Sequence, residues 1–232
     1  MSLSFRRLAV GVAIFSSLSL AVAAPVAAQT DTAVDIAAIG DDVLAADVDT
    51  LIEGLQEPIA DRDLPDGITE AEYVAPEDVS ADLGLLDEAQ LEGTLGSAAY
   101  VLVGDPDELG GEEVTVSIQY VAYDEADFGD DPVGDFVEGA QGGLGDVPEG
   151  SEASAEAIEI EEEDAALISL SMADGGANVV AQYIAIPVGN VFVFAAITVS
   201  GSEEVDIDTV FDATEALTLS AIEYLGEVAA DS

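Results

Sequence analysis

The chain is 232 residues long and sets 50 Asp and Glu against three basic residues, Arg6, Arg7 and Arg62, with no Lys, His, Cys or Trp. That census excludes a Ser-His-Asp triad, imidazole and thiolate metal sites, disulfides, Schiff-base lysines and the Lys-dependent Walker A phosphate loop. It equally speaks against nucleic acid and anionic membrane surfaces as partners, since both are bound through Lys and Arg.

In chain order, Arg6 and Arg7 precede an apolar run from Leu8 to Val22 and a small-residue stretch ending in Val26, Ala27 and Ala28. This is the three-part layout of an export signal, here residues 1–28 with cleavage expected after Ala28. The run of about 15 residues is short for a membrane span, which needs roughly 20, so no membrane insertion is expected after cleavage. All 50 acids follow residue 28, where Arg62 is the sole basic residue. Half of the residues are nevertheless apolar, so the chain can bury a core under electrostatic strain. Salt shortens the reach of that repulsion to about 8 Å at physiological ionic strength and roughly 3 Å at 1 M, which predicts a salt-adapted protein.

Leu44, Val48, Leu51, Ile52 and Leu55 recur with helical period, predicting one helix over 42–56 with Asp41 or Asp42 as its N-cap and Pro58 ending it. The turn signature Asp61 to Gly67 and an irregular acidic stretch to about Gly84 follow, with a short helical piece expected around Asp87 to Leu91. Residues 29–92 are therefore read as an N-terminal helix and acidic loop segment, and residues 93–232 as the main domain.

Beyond Gly93 the pattern turns to strands. Ser97 to Val103 is the first, and Glu113 to Tyr123 alternates cleanly between Val114, Val116, Ile118, Tyr120, Ala122 and their neighbours. Asp131 and Pro132 open a helix striped by Val133, Phe136, Val137 and Ala140, with Gly142 and Gly143 as its stop. A strand near Ala155 to Glu161, with Ile158 and Ile160 inward, suits a sheet edge. Strands at 165–172, 178–186 and 191–199 are joined by connections short enough to require antiparallel hairpins. The last two are apolar on both alternating sets and so belong at the sheet centre. A terminal helix runs from Ile207 to Leu225 and is expected to end at Gly226. The fold class is α+β: an antiparallel sheet of about six strands, covered by helices on both faces, with a ββαββββα core and an N-terminal helix.

This order, with the hairpin Ile186-Pro187-Val188-Gly189-Asn190 and the terminal helix, resembles the PsbP-like sandwich of LpqN-type bacterial cell-envelope proteins over about Gly93 to Gly226. The resemblance implies a binding or accessory role. The chain departs from the lipoprotein members in having no Cys to carry a lipid.

Candidate sites are few. Asp124, Asp127, Asp130 and Asp131 lie in an oxygen-rich loop of the kind calcium requires, or are solvated acids preceding a helix cap. Arg62 pairs locally, or orients a carboxylate or phosphate ligand. Among Glu161, Glu162, Glu163 and Asp164 an acid and base pair for glycoside hydrolysis can be drawn, as it can wherever carboxylates are dense. Gln182, polar within an apolar strand, faces a small pocket or bonds the backbone at a rim, while Phe192 and Phe194 read as core. The functional expectation is a secreted or periplasmic, non-catalytic binding or accessory protein for an unknown protein or small ligand. It needs no cofactor, with calcium the one candidate. The alternatives are an extracellular calcium-binding protein and a carboxylate-only glycoside hydrolase.

Overall fold

The computed structural model describes residues 34–57, 59, 64–75, 78–79, 85–86, 91–124, 129–144, 151–174 and 177–232. The export signal and the helical piece around Asp87 to Leu91 lie outside them, apart from Leu91. The elements are α1 (Ile36–Ala45), α2 (Val48–Gly54), β1 (Ile68–Val74), β2 (Gly96–Gly104), α3 (Pro106–Leu109), β3 (Glu113–Ala122), α4 (Pro132–Gly143), β4 (Glu152–Ile160), β5 (Glu163–Asp174), β6 (Ala177–Val188), β7 (Val191–Gly201) and α5 (Ile207–Ala230).

The strands form one seven-stranded sheet in the order β1-β2-β3-β7-β6-β5-β4. All six neighbouring pairs are antiparallel. The strands β1-β2-β3 make one meander and β4 to β7 another, and the pairing of β3 with β7 joins them. The α+β expectation holds, with β4 at an edge and the doubly apolar β6 and β7 inside, as their patterns require.

The added strand is β1, which falls in the stretch expected to be irregular. It is an edge strand with a register shift between Thr69 and Ala71, and its exposed Glu72 interrupts the apolar alternation that would mark it. An edge strand buries too little to need a clean period.

The period-two pattern of β3 explains how the sheet is covered. Val116, Ile118, Tyr120 and Ala122 enter the main core with Val193, Ala195 and Ile197 of β7 and Leu217, Ala221, Ile222 and Leu225 of α5. Ile36, Val43, Leu51 and Leu55 of the N-terminal helices and Ile68 of β1 join the same core. On the opposite face, Val133, Phe136 and Ala140 of α4 pack on Ala166, Ile168, Ala185 and Phe192. Helices therefore cover both faces, with α4 on the one and α1, α2 and α5 on the other.

Two helix boundaries differ from the expected ones. The single helix over 42–56 is two helices. Asp35 caps the first by accepting from the Ala38 N–H at 3.0 Å, and Asp47 starts the second by accepting from the Thr50 N–H at 3.1 Å and its hydroxyl at 3.0 Å. Ala46 between them is extended, because an Asp carboxylate that bonds forward to the backbone favours a new start over an unbroken turn. The face of α1 turns accordingly: Val43 is buried and Leu44 is 49% exposed.

The terminal helix does not stop at Gly226 but runs to Ala230. A Cβ at Gly226 would stand 3.0 Å from Ile39 Cγ1, and one at Gly54 would stand 2.6 Å from Val228 Cγ1. These glycines let α1, α2 and α5 approach closely, which outweighs a helix-propensity cost of about 1 kcal/mol each. Gly142 and Gly143 likewise fall inside α4 rather than beyond it.

Candidate functional site

The acidic loop before α4 is only partly described. Asp124 follows β3, Asp130 and Asp131 are exposed, and Asp127 lies outside the described residues, as does Arg62. Asp131 serves as the N-cap of α4, its Oδ1 accepting from the Gly134 N–H at 2.9 Å. That is the role its position before Pro132 predicts. Among the described residues, no three Asp or Glu side chains are placed to hold a metal ion together.

The acids Glu161 to Asp164 form the β4–β5 turn. Glu161 and Glu162 occupy it at φ 49° and 71°, the left-handed pair that a two-residue hairpin demands and that Asn-Gly fills best. Glu163 and Asp164 open β5, paired with Ile160 and Glu159.

Gln182 is buried on the α5 side of the sheet. Its Oε1 accepts from the Ser169 hydroxyl at 2.6 Å across the β5–β6 pair. Gln119 on the opposite face reaches Leu86 of the N-terminal segment. Its Oε1 accepts from the Leu86 N–H at 2.7 Å and its Nε2 donates to the Leu86 carbonyl at 3.1 Å. This two-point clamp replaces a missing strand partner for Leu86. Among the described residues no buried side-chain nitrogen or oxygen lacks a partner.

The largest polar constellation is one that sequence reasoning missed. Four of the six tyrosines form a continuous row: Tyr73 to Tyr100 at 6.0 Å between ring centroids, Tyr100 to Tyr120 at 6.4 Å, and Tyr120 to Tyr224 at 6.4 Å. The first two contacts are edge-to-face, the favourable aromatic geometry. The row runs from the edge strand β1 through β2 and β3 to α5, and its hydroxyls reach main-chain carbonyls. Tyr120 donates to Ala221 at 3.0 Å. Tyr100 contacts the carbonyl oxygens of Leu55 and, at 2.7 Å, Glu57. Tyr224 contacts Glu57 O at 2.7 Å and Gly54 O at 3.4 Å.

Gly54, Leu55 and Glu57 lie at and just beyond the C-terminal end of α2, which carries no basic residue in its last turn. Helix ends of this kind usually receive Lys, Arg or His. A chain almost without cations meets the need with phenols. Burial pushes the Tyr100 phenol far above its ordinary pKa, with Tyr224, Tyr120 and Tyr73 adding to the effect. Burial does the same to Tyr120. Burial also raises the Tyr224 phenol, with its hydrogen bond to Tyr100 pulling the other way and the carboxylates of Glu57 and Glu227 adding to the rise. On the α4 face, burial pushes Tyr123 up to about 12. The cluster escaped the sequence because its members stand at 73, 100, 120 and 224, and only the sheet brings them together.

These features define an α+β protein with a helix-covered antiparallel sheet and a phenol cluster at a helix end. No protein-family profile matches the sequence, and no curated protein matches it. Solved structures resemble it in architecture. One is LpqN, involved in cell envelope biogenesis of Mycobacterium tuberculosis, at 15% identity and TM-score 0.33, covering 66% of this chain and 76% of that one. Another is the extracellular domain of PknH from Mycobacterium tuberculosis, at 11% identity and TM-score 0.37, covering 72% and 98% respectively. A third is PA94 from Pseudomonas aeruginosa, a protein of unknown function and putative regulator, at 15% identity and TM-score 0.29, covering 50% and 74%. The likeness is distant and concerns the arrangement of sheet and helices. No helix among the described residues is long and apolar enough to cross a membrane.

Proposed function

We propose that the protein is an exported, non-catalytic binding or accessory factor of the cell envelope, adapted to salt, that engages its partner through its acidic exterior. The observation that supports this reading is the packing of the interior among the described residues. Helices cover both faces of the sheet, and the buried polar side chains among the described residues are bonded within the chain. Recognition then falls to exposed surface, where the acids lie, and a partner carrying positive charge fits it.

The test is a binding and turnover screen on the purified protein. Envelope fractions and a small-ligand panel are titrated at low and high NaCl, beside a glycoside panel and CaCl₂. A saturable complex without hydrolysis is the expected result. Turnover of a glycoside that is lost on substituting Glu161 to Asp164 would overturn the reading in favour of a hydrolase. Tight calcium binding that is lost on substituting Asp124, Asp127, Asp130 and Asp131 would replace it with the calcium-binding alternative.

A further inference from the structure

We propose that the outer edge of β4 is the docking site for an extended, cationic polypeptide segment, which pairs with it as one more strand of the sheet. This names the place and the partner chemistry of the acidic-exterior binding proposed above, and it rests on that reading.

Among the described residues β4 ends the sheet, with no strand beyond it. Its nine residues pair with β5 one for one, from Glu152 with Ser171 to Ile160 with Glu163, without a register shift. Edge strands are usually blunted by brevity or a bulge, and β1 at the other end of the sheet has its shift between Thr69 and Ala71. β4 has neither. The left-handed pair Glu161 and Glu162 makes a two-residue hairpin loop, so the flanking Ile160 and Glu163 exchange hydrogen bonds. Stepping back by twos, Ile158, Glu156, Ser154 and Glu152 turn their N–H and C=O groups toward β5, and Glu159, Ala157, Ala155 and Ala153 turn theirs outward. Gln141 of α4 agrees with this parity, because its Nε2 donates to the Ala155 carbonyl at 2.8 Å from outside the pair. No backbone hydrogen bond among the described residues reaches the outward groups of Ala153, Ala157 or Glu159.

The side chains define what this edge accepts. Ala153, Ala155 and Ala157 let a neighbouring backbone approach, and Gln141 is exposed, so its one bond to the edge exchanges for that of an incoming strand. Alternation places Glu152 and Glu156 on the α5 face with Ile158 and Ile160, and Glu159 on the α4 face with Ala155. All three glutamates are exposed. Glu152 and Glu156 stand roughly 13 Å apart along the strand. An antiparallel partner meets them with cations at three places: opposite Glu159, three residues further on opposite Glu156, and four beyond that opposite Glu152.

The same residues turn away a second copy of this chain. Antiparallel pairing of two β4 edges about Glu156 sets that carboxylate against its own copy, and like charges directly opposite each other destabilise a sheet. Each chain also carries a formal charge of −47, which opposes the encounter at long range. A strand bearing Lys or Arg reverses both effects. Strand addition then divides the labour: main-chain bonds to the outward N–H and C=O groups give affinity, and the glutamates at set positions give selectivity.

The probe is a fluorescently labelled synthetic peptide of about eight residues, with Lys at its first, fourth and eighth positions and Thr or Val elsewhere. A second peptide is N-methylated at alternate amides, which keeps the charge and prevents strand pairing. Anisotropy should show saturable binding of the first peptide that weakens as NaCl rises, and binding of the second at least about tenfold weaker. Ala157→Pro removes an outward N–H, keeps the bonds to β5 and is a change that edge strands tolerate. It should weaken the first peptide by about tenfold. Glu152→Gln with Glu156→Gln should weaken it by about fivefold, while the same neutralisation of Glu223 and Glu227, exposed on α5, should leave it within about twofold. In ¹⁵N spectra the peptide should protect the amides of Ala153, Ala155, Ala157 and Glu159 from exchange and change little at the residues between them. Equal binding of both peptides, unaltered by Ala157→Pro, would overturn the edge and leave the acidic-exterior reading standing. Absence of binding by either peptide at low salt would also overturn the edge. The envelope titration above, repeated with Ala157→Pro, then judges the broader reading separately: a complex that forms equally with the variant keeps that reading without β4, and no complex with either protein ends both.

Discussion

Gly40 in α1 and Gly189 in the β6–β7 turn bring two backbones into direct contact. A Cβ on Gly189 would lie 2.8 Å from the Gly40 carbonyl oxygen, and one on Gly40 would lie 3.1 Å from the Gly189 nitrogen. Gly189 also sits at φ +60°, the first central position of a two-residue hairpin loop. The N-terminal helix is thus pinned to the tip of the central hairpin by a backbone approach, with the Val43 side chain packed beside it.

Two substitutions separate the two demands on Gly189. Asn tolerates a left-handed φ but carries a Cβ, so Gly189→Asn isolates the cost of the helix contact, while Gly189→Ala adds the backbone strain. Both are expected to destabilise, by about 1–2 kcal/mol for Asn and about 2–3 kcal/mol for Ala. Urea denaturation with an unchanged m-value checks this, and an Asn variant as stable as wild type would refute the contact.

The β4–β5 turn should yield the opposite result. Glu161 and Glu162 hold left-handed conformations at the cost of backbone strain and of charge repulsion. Replacing them with Asn and Gly is expected to stabilise the protein by about 1–2 kcal/mol, or some 2–8 °C in Tm. A flat or lower Tm would place those glutamates in a role that the turn geometry does not reveal.

Gln119→Leu keeps the volume near β3 and removes both bonds to Leu86. The Leu86 amide then has to find water, so hydrogen exchange there should accelerate by at least tenfold with a global loss of about 1–3 kcal/mol. Unchanged exchange at Leu86 would mean the clamp is not what holds that segment.

The pH dependence should be unusually simple. With no His, Cys or Lys, no side chain titrates with an ordinary pKa between the carboxylates and the phenols, and stability should be nearly flat from about pH 6 to 9. Above that, the buried phenols of Tyr100 and Tyr120 and the half-buried phenol of Tyr224, all raised in the folded state, keep protons that the unfolded chain releases near pH 10. The native state then binds more protons than the unfolded one, so stability falls as pH rises past about 10. The slope is about 1.4 kcal/mol per pH unit for each phenol that stays protonated. Absorbance at 295 nm should show these tyrosines ionising together with unfolding, and ionisation well before it would contradict their burial.

Added NaCl is expected to raise Tm through general screening of the 50 acids. Melts from about 10 mM to 1 M NaCl test it. A Tm that stays flat or falls would mean that the repulsion among the acids is not what strains the fold.

What the sequence made legible follows from where the physics is local. The alternation of Val114 to Ala122 and the Asp131-Pro132 start of α4 act within a few residues, and they read correctly. The hairpin at Gly189 and Asn190 did too, though β6 extends through Pro187 and Val188, where the connection was expected to begin. Gly226 misled because a glycine that ends a helix and one that admits a neighbouring helix look alike until Ile39 is seen against it. Asp47 hid the break between α1 and α2, since the apolar stripe runs through it unbroken. The phenol cluster was invisible for a different reason, as Tyr100 and Gly54 meet only through tertiary packing. Asp131 was legible as a cap. The other acids of its loop carry no local signal that separates a ligand from a solvated side chain.

The central place of β7 governs how the protein is made. Both β3 and β6 keep an open hydrogen-bonding edge until residues 191–201 insert between them, so neither meander can finish while the C-terminal part of the chain is still missing. Closing the sheet joins residues 69 to 87 positions apart, from the Ala122–Val191 pair to the Glu113–Ser200 pair, and a topology of such distant pairings folds slowly. If the chain is exported as proposed above, that delay suits it. Acquisition of structure waits for the last strand, and the repulsion among the acids keeps the waiting chain from associating with its own copies.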